Sequence, residues 1–141
     1  MNLYQNGYMK LSYNYSLSLM EQQWTMDTKD LTKNRKDCEQ LISLLNSITC
    51  VQAQKYKPTG VLIDSQACDY TVHQNVKVWK GDNLGNKMSS SGVSKVAFVV
   101  KKNVLKEVAA SHSFQKLGTK KLTFRYFDNL REAKEWLLQQ N

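Results

Sequence analysis

The sequence predicts an α/β fold: a mixed β-sheet that opens with an antiparallel hairpin and carries about four helices. Three observations support this. From Met9 to Leu19 apolar and polar residues alternate, the period-2 pattern of strands with one wet face. Gly60-Val61-Leu62-Ile63-Asp64 and Val96-Ala97-Phe98-Val99-Val100 are unbroken apolar runs, as in strands covered on both faces. Around those runs the apolar spacing changes to three and four, which is helical. Strands alternating with helices favour parallel pairing through right-handed crossovers.

In the opening stretch Met9, Leu11, Tyr13, Tyr15, Leu17 and Leu19 form the apolar series. It is long for one strand, so a hairpin is expected to turn near Asn14-Tyr15-Ser16, its second strand reaching about Trp24. Asn6-Gly7 offers another turn, with a short strand before it. Asp27 or Thr28 reads as an N-cap, with Asp30 in the first turn. The helix it opens runs to about Gln54, its inner stripe including Leu31, Cys38, Leu41, Ile42, Leu45, Ile48 and Gln52. Lys33, Arg35, Lys36 and Glu39 fall on its wet side. Pro58 and Gly60 end that helix and begin the central strand.

After Asp64 a loop leads to Thr71, read as the cap of a second helix carrying Val72, Val76 and Trp79. Gly81 to Gly92, rich in Gly, Asn and Ser, reads as irregular and mobile. Asn103 opens a third helix through Val104, Leu105, Val108 and His112. Leu122 to Phe127 is the last strand, and Asp128 reads as the cap of a final helix with Leu130, Ala133, Trp136 and Leu137. Trp24, Trp79 and Trp136 read as core anchors. Tyr8, Tyr13 and Tyr15 are candidates for a partner surface.

At 141 residues the chain is expected to be one domain over residues 1–141. Its net charge is +8, but the lysines are dispersed. No basic run, RNA-binding aromatic motif or cysteine-histidine finger is present, so no specific nucleic-acid partner is expected. Cys38, Cys50 and Cys68 are odd in number and lack C-x-x-C spacing, which fits reduced thiols in a cytoplasmic protein. No signal peptide and no transmembrane segment are expected.

Asp64 and Ser65 end the central strand, where ligands gather in open α/β sheets. Ser65, His73 and Asp64 are the residue types of a hydrolase triad, but no G-x-S-x-G elbow surrounds the serine. His73 and His112 have no partners at metal-ligand spacing. Gly81 and Gly85 lack the lysine-serine ending of a phosphate loop. Asp128, Glu132 and Glu135 read as a solvated helix face. The expectation is a protein that is not an enzyme, with no catalytic residues, no metal and no cofactor.

The chain resembles a bacterial branch of the SpoIIAA-like division of STAS domains, the anti-anti-sigma-factor-like proteins. Trp24 before the long helix, Gly60 to Asp64, and Val96 to Val100 carry the resemblance over most of the chain. Its most specific part runs from Arg125 to Leu137: Phe127-Asp128, then Ala133, then Trp136-Leu137. The resemblance implies a regulatory, protein-binding module whose partner is a kinase or a sigma-factor regulator. Sporulation-type relatives carry Asp-Ser-Ser-Gly or Asp-Ser-Thr-Gly after the central strand, with a serine phosphorylated by the partner kinase. Here Asp64-Ser65-Gln66-Ala67 keeps the first two residues and lacks the second hydroxyl and the glycine. Asp64 and Ser65 are therefore the candidate phospho-switch or partner-binding loop. The plainer reading is a loop serine that satisfies nearby backbone amides. Some relatives share a layout with lipid-binding CRAL-TRIO domains, and the alternative is a carrier of an apolar small molecule or lipid between sheet and helices. The oligomeric state is left open, a dimer included.

Overall fold

The computed structural model describes residues 1–25, 35–68, 70–111 and 122–139. Among them, six strands form one sheet in the order β1 to β6. The strands β1 (Asn2–Gln5), β2 (Met9–Asn14) and β3 (Leu19–Trp24) pair antiparallel. Strands β4 (Gly60–Asp64), β5 (Lys95–Val99) and β6 (Thr123–Phe127) continue from β3 in parallel. Between them run α1 (Arg35–Tyr56), α2 (Tyr70–Lys80), α3 (Asp82–Ser90) and α4 (Lys102–Ser111), and α5 (Leu130–Leu138) closes the fold. The expected mixed sheet and opening hairpin are both present.

The sheet has two unequal faces. On one, Met9, Leu11, Val61, Ile63, Val96 and Phe98 pack against residues of α1 to α4, including Ile42, Leu45, Val76 and Val108. Trp24 and Trp79 are fully buried there. Burying such side chains is the main source of stability, about 1.5–3 kcal/mol for each large apolar group. On the other face Leu19, Leu62, Ala97, Val99 and Phe127 lie under Ala133 and Leu137 of α5. Helix α5 packs on β4, β5 and β6. Gly60 permits that approach: a Cβ there would stand 3.0 Å from Leu19 Cδ2 and 3.2 Å from Leu137 Cδ2. Lys95 secures the helix end, its Nζ donating to the carbonyls of Trp136 (3.0 Å) and Gln139 (2.7 Å).

Several expectations are corrected. The apolar alternation does not cross the hairpin on one face. Tyr13 faces the larger core, Tyr15 is exposed in the turn, and Leu19 belongs to the smaller core under α5. Thr71 lies inside α2, which begins at Tyr70. The stretch expected to be irregular contains α3. Its weak formers are overridden by burial of Met88, with Leu84 one turn earlier packed against the core. The cap of α5 is Asn129, not Asp128: the Asn129 side chain accepts from the Glu132 N–H at 3.1 Å. Helix α1 continues to Tyr56 and ends through Lys57, whose φ of 51° is left-handed. The capping residues expected for α1 (Asp27, Thr28, Asp30), Leu31, Lys33 and His112 lie outside the described residues.

Candidate functional site

Because β3 to β6 are parallel, their C-terminal ends share one rim. At the end of β4, the Ser65 N–H donates to the Val99 carbonyl at 2.8 Å, and the Ser65 carbonyl accepts from Cys68 N–H at 3.1 Å. Asp64 Oδ1 accepts from the Gln66 N–H at 3.0 Å, an Asx turn that sets the direction of the loop. Gln66 Nε2 donates to the Asp128 carbonyl at 3.3 Å, joining this loop to the one that enters α5. Ser65 is only 2% exposed, whereas Asp64 is half-buried. A kinase would reach the Ser65 hydroxyl only after the loop opened.

Asp64 also lines a groove of about 240 Å³ on the α5 side of the sheet. Strand alternation places Lys10 and Ser12 of β2, Glu21 and Gln23 of β3, and Leu62 and Asp64 of β4 along its floor. Leu130 and Lys134 of α5 form its opposite wall. The groove exists because α5 sits over β4 to β6 while the hairpin extends the sheet beyond it. Lys134 Nζ and Glu21 Oε1 form an ion pair at 3.1 Å across it. Two lysines and two carboxylates thus converge at a partly solvated site.

Within the apolar layer between the sheet and α1–α2 runs a buried polar network. Gln22 Nε2 donates to Asn46 Oδ1 (3.0 Å) and to Thr49 Oγ1 (2.8 Å). Trp24 Nε1 donates to Gln22 Oε1 at 2.7 Å, and Trp79 Nε1 to Asn46 Oδ1 at 2.9 Å. Asn46 Nδ2 donates in turn to the Ile42 carbonyl and to Asn75 Oδ1, at 2.9 and 2.8 Å. Gln22, Asn46, Thr49 and Asn75 are all at most 1% exposed. Among the described residues the Asn75 amide nitrogen has no hydrogen-bond partner. Asn75 lies three residues after Val72 and four before Trp79, so its inward direction was available from helical spacing. The pairing with Asn46 and Gln22, distant in sequence, was not.

The residue types of a triad are not assembled. His73 Nε2 is 3.2 Å from Glu107 Oε1 of α4, and α2 packs on the sheet face opposite to Asp64. Among the described residues no group of three or more His, Cys, Asp or Glu is placed to hold a metal ion. Cys38, Cys50 and Cys68 are all buried and in no disulfide, and burial raises the Cys50 thiol pKa. Tyr13, Tyr15 and Tyr56 form an edge-packed cluster in which Tyr13 is buried and Tyr15 exposed. Trp136 is half-buried beside Phe127, with the Lys95 ammonium 5.3 Å from its ring centre.

Among the described residues, a hairpin-extended mixed sheet, a helix covering its second face, and a tight Asp-Ser turn at the central strand's exit define a STAS-type α/β domain. The SpoIIAA-like family model matches residues 28–138, and the chain belongs to that family. The family is of the anti-anti-sigma-factor-like regulatory type, and its domains typically bind protein partners. No curated protein and no solved structure matches the chain. Among the described residues no helix is long and apolar enough to cross a membrane. The match begins after β3, so the hairpin that supplies Lys10, Ser12, Glu21 and Gln23 to the groove precedes the matched residues.

Proposed function

We propose that this protein is a cytoplasmic, non-enzymatic regulatory module that binds a protein partner, a kinase or sigma-factor regulator, through the β4 exit loop and the adjoining charged groove. One observation carries the reading: Asp64 closes the turn at the β4 exit, where the resemblance would put a switch loop, and also lines an open, mixed-charge groove. A groove of that kind fits polar side chains of a protein surface. The close-packed side chains between sheet and helices, apolar around one polar network, speak against an apolar cargo there. Separate partners for Asp64 and His73 speak against nucleophilic catalysis. Phosphate on Ser65 would add about −1.5 to −2 charge beside Asp64 and force the buried turn outward, a switch for partner release.

Affinity capture from the native cell, run in parallel with wild type, Asp64→Lys and Lys134→Glu, tests the surface. A partner recovered by wild type and lost by both folded variants is the expected result. Retention by both variants would remove the groove from the binding surface. A co-purified apolar ligand, with no protein partner, would overturn the reading in favour of a carrier. Mass spectrometry of the native protein tests the switch separately; Ser65 unmodified under every growth condition would end it.

A further inference from the structure

Helix α1 presents to solvent a face unlike the rest of the surface. Leu44 is 58% and Val51 62% exposed, and they stand two turns apart on one side of the helix. With half-buried Leu41 and Ile48 they give a 3-4-3 apolar spacing, the seam by which helices pair. No charged residue lies between Glu39 and Lys55, although the chain carries a net charge of +8. Beside Val51 is a depression of about 130 Å³ walled by Ser47, Cys50 and, from α3, Leu84 and Lys87. At the other end of the same flank Glu39 borders an open hollow with Ser43 and Gln74.

We propose that this face binds a second copy of the chain, with the two α1 helices antiparallel about a two-fold axis close to Ser47. Leu44 lies three residues before Ser47 and Val51 four after it. That axis therefore sets Leu44 of each copy at the level of Val51 of the other, where the depression receives it. The same rotation brings Glu39, near one end of the flank, toward Lys87 of the second copy near the other end. Opposite charges then meet twice, as an isologous contact requires. Ser47 is small, and its hydroxyl is turned onto the Ser43 carbonyl at 3.0 Å, so the helices can approach closely at the crossing. One surface thus carries both knob and hole, and both signs of charge, in the register of its own two-fold. That self-match selects a second copy over an unrelated partner. A charge-free seam also lets two cationic molecules meet with least repulsion.

Sedimentation of the full chain over a concentration series tests this. The expected result is a reversible dimer that Leu44→Lys or Val51→Lys weakens by about 100-fold or more, a buried-anchor loss. Both positions are exposed, so circular dichroism should report an unchanged fold. Glu39→Lys and Lys87→Glu should each weaken the dimer, and the double exchange should recover most of its strength. Lys134→Glu, in the groove, should leave it unchanged. A monomer at every concentration, or a dimer indifferent to both lysine substitutions, overturns the proposal. Failure of the charge exchange to restore association overturns the two-fold register.

Discussion

Asn46 accepts from Gln22 and Trp79 and donates to Ile42 and Asn75, so one side chain joins β3, α1 and α2. Truncating it strands several buried donors and acceptors, each costing about 1–3 kcal/mol when left unpaired. Asn46→Leu should therefore lower stability by about 3 kcal/mol or more in urea unfolding. A change below about 1 kcal/mol would mean that the network relaxes at little cost. Tyr126 gives a second, pH-dependent prediction. Burial pushes its phenol from 10.0 up to about 12. The unfolded chain ionises first, so this contribution is intact below pH 10 and is lost as pH rises to about 12. Wild type should lose stability through that window more steeply than Tyr126→Phe, and parallel curves would contradict the assignment. Sequence placed Tyr126 in a strand, but its burial depends on Phe98, Phe124 and the covering helices.

At the scale of elements, α5 shows where sequence reading succeeds and where it stops. The 3.6-residue spacing of Leu130, Ala133, Trp136 and Leu137 located the helix correctly. Asp128 and Asn129 are adjacent cap formers, and the choice between them depends on backbone: Asn129 has extended dihedrals, φ −141° and ψ 124°. Asn129→Ala should cost about 1 kcal/mol of thermal stability, and Asp128→Ala clearly less; the reverse order would restore the expected cap. Gly60→Ala tests the seat of the same helix, because its Cβ would crowd Leu19 and Leu137. Overpacking of this kind costs about 1–3 kcal/mol, reduced if the two leucine tips move aside. Helix α3 was missed because its sequence is rich in Gly, Asn and Ser, and its stability comes from Met88 and Leu84 meeting the core.

For the whole molecule, the arrangement of sheet and helices determines which surfaces are available. Among the described residues α1 to α4 lie on one face of the sheet, while α5 covers only β4 to β6 on the other. The extended hairpin therefore creates the groove that Asp64 lines, and the outer side of α1 remains toward solvent. The two proposed surfaces lie on opposite sides of the sheet, so partner binding and dimerisation can be perturbed independently.

Periodicity, apolar runs and turn residues by themselves determined the mixed sheet, the strand order along the chain and the position of Asp64 and Ser65 at a strand exit. These are local properties, written in the spacing of neighbouring residues. The closing Phe127-Asp128 to Trp136-Leu137 pattern likewise carried the family. Tertiary structure alone decided that Ser65 is enclosed, that Glu21 meets Lys134 across a groove, and that Gln22, Asn46 and Asn75 share one network. Each of those depends on side chains brought together from distant segments, and no local pattern encodes which distant partner a polar residue will meet.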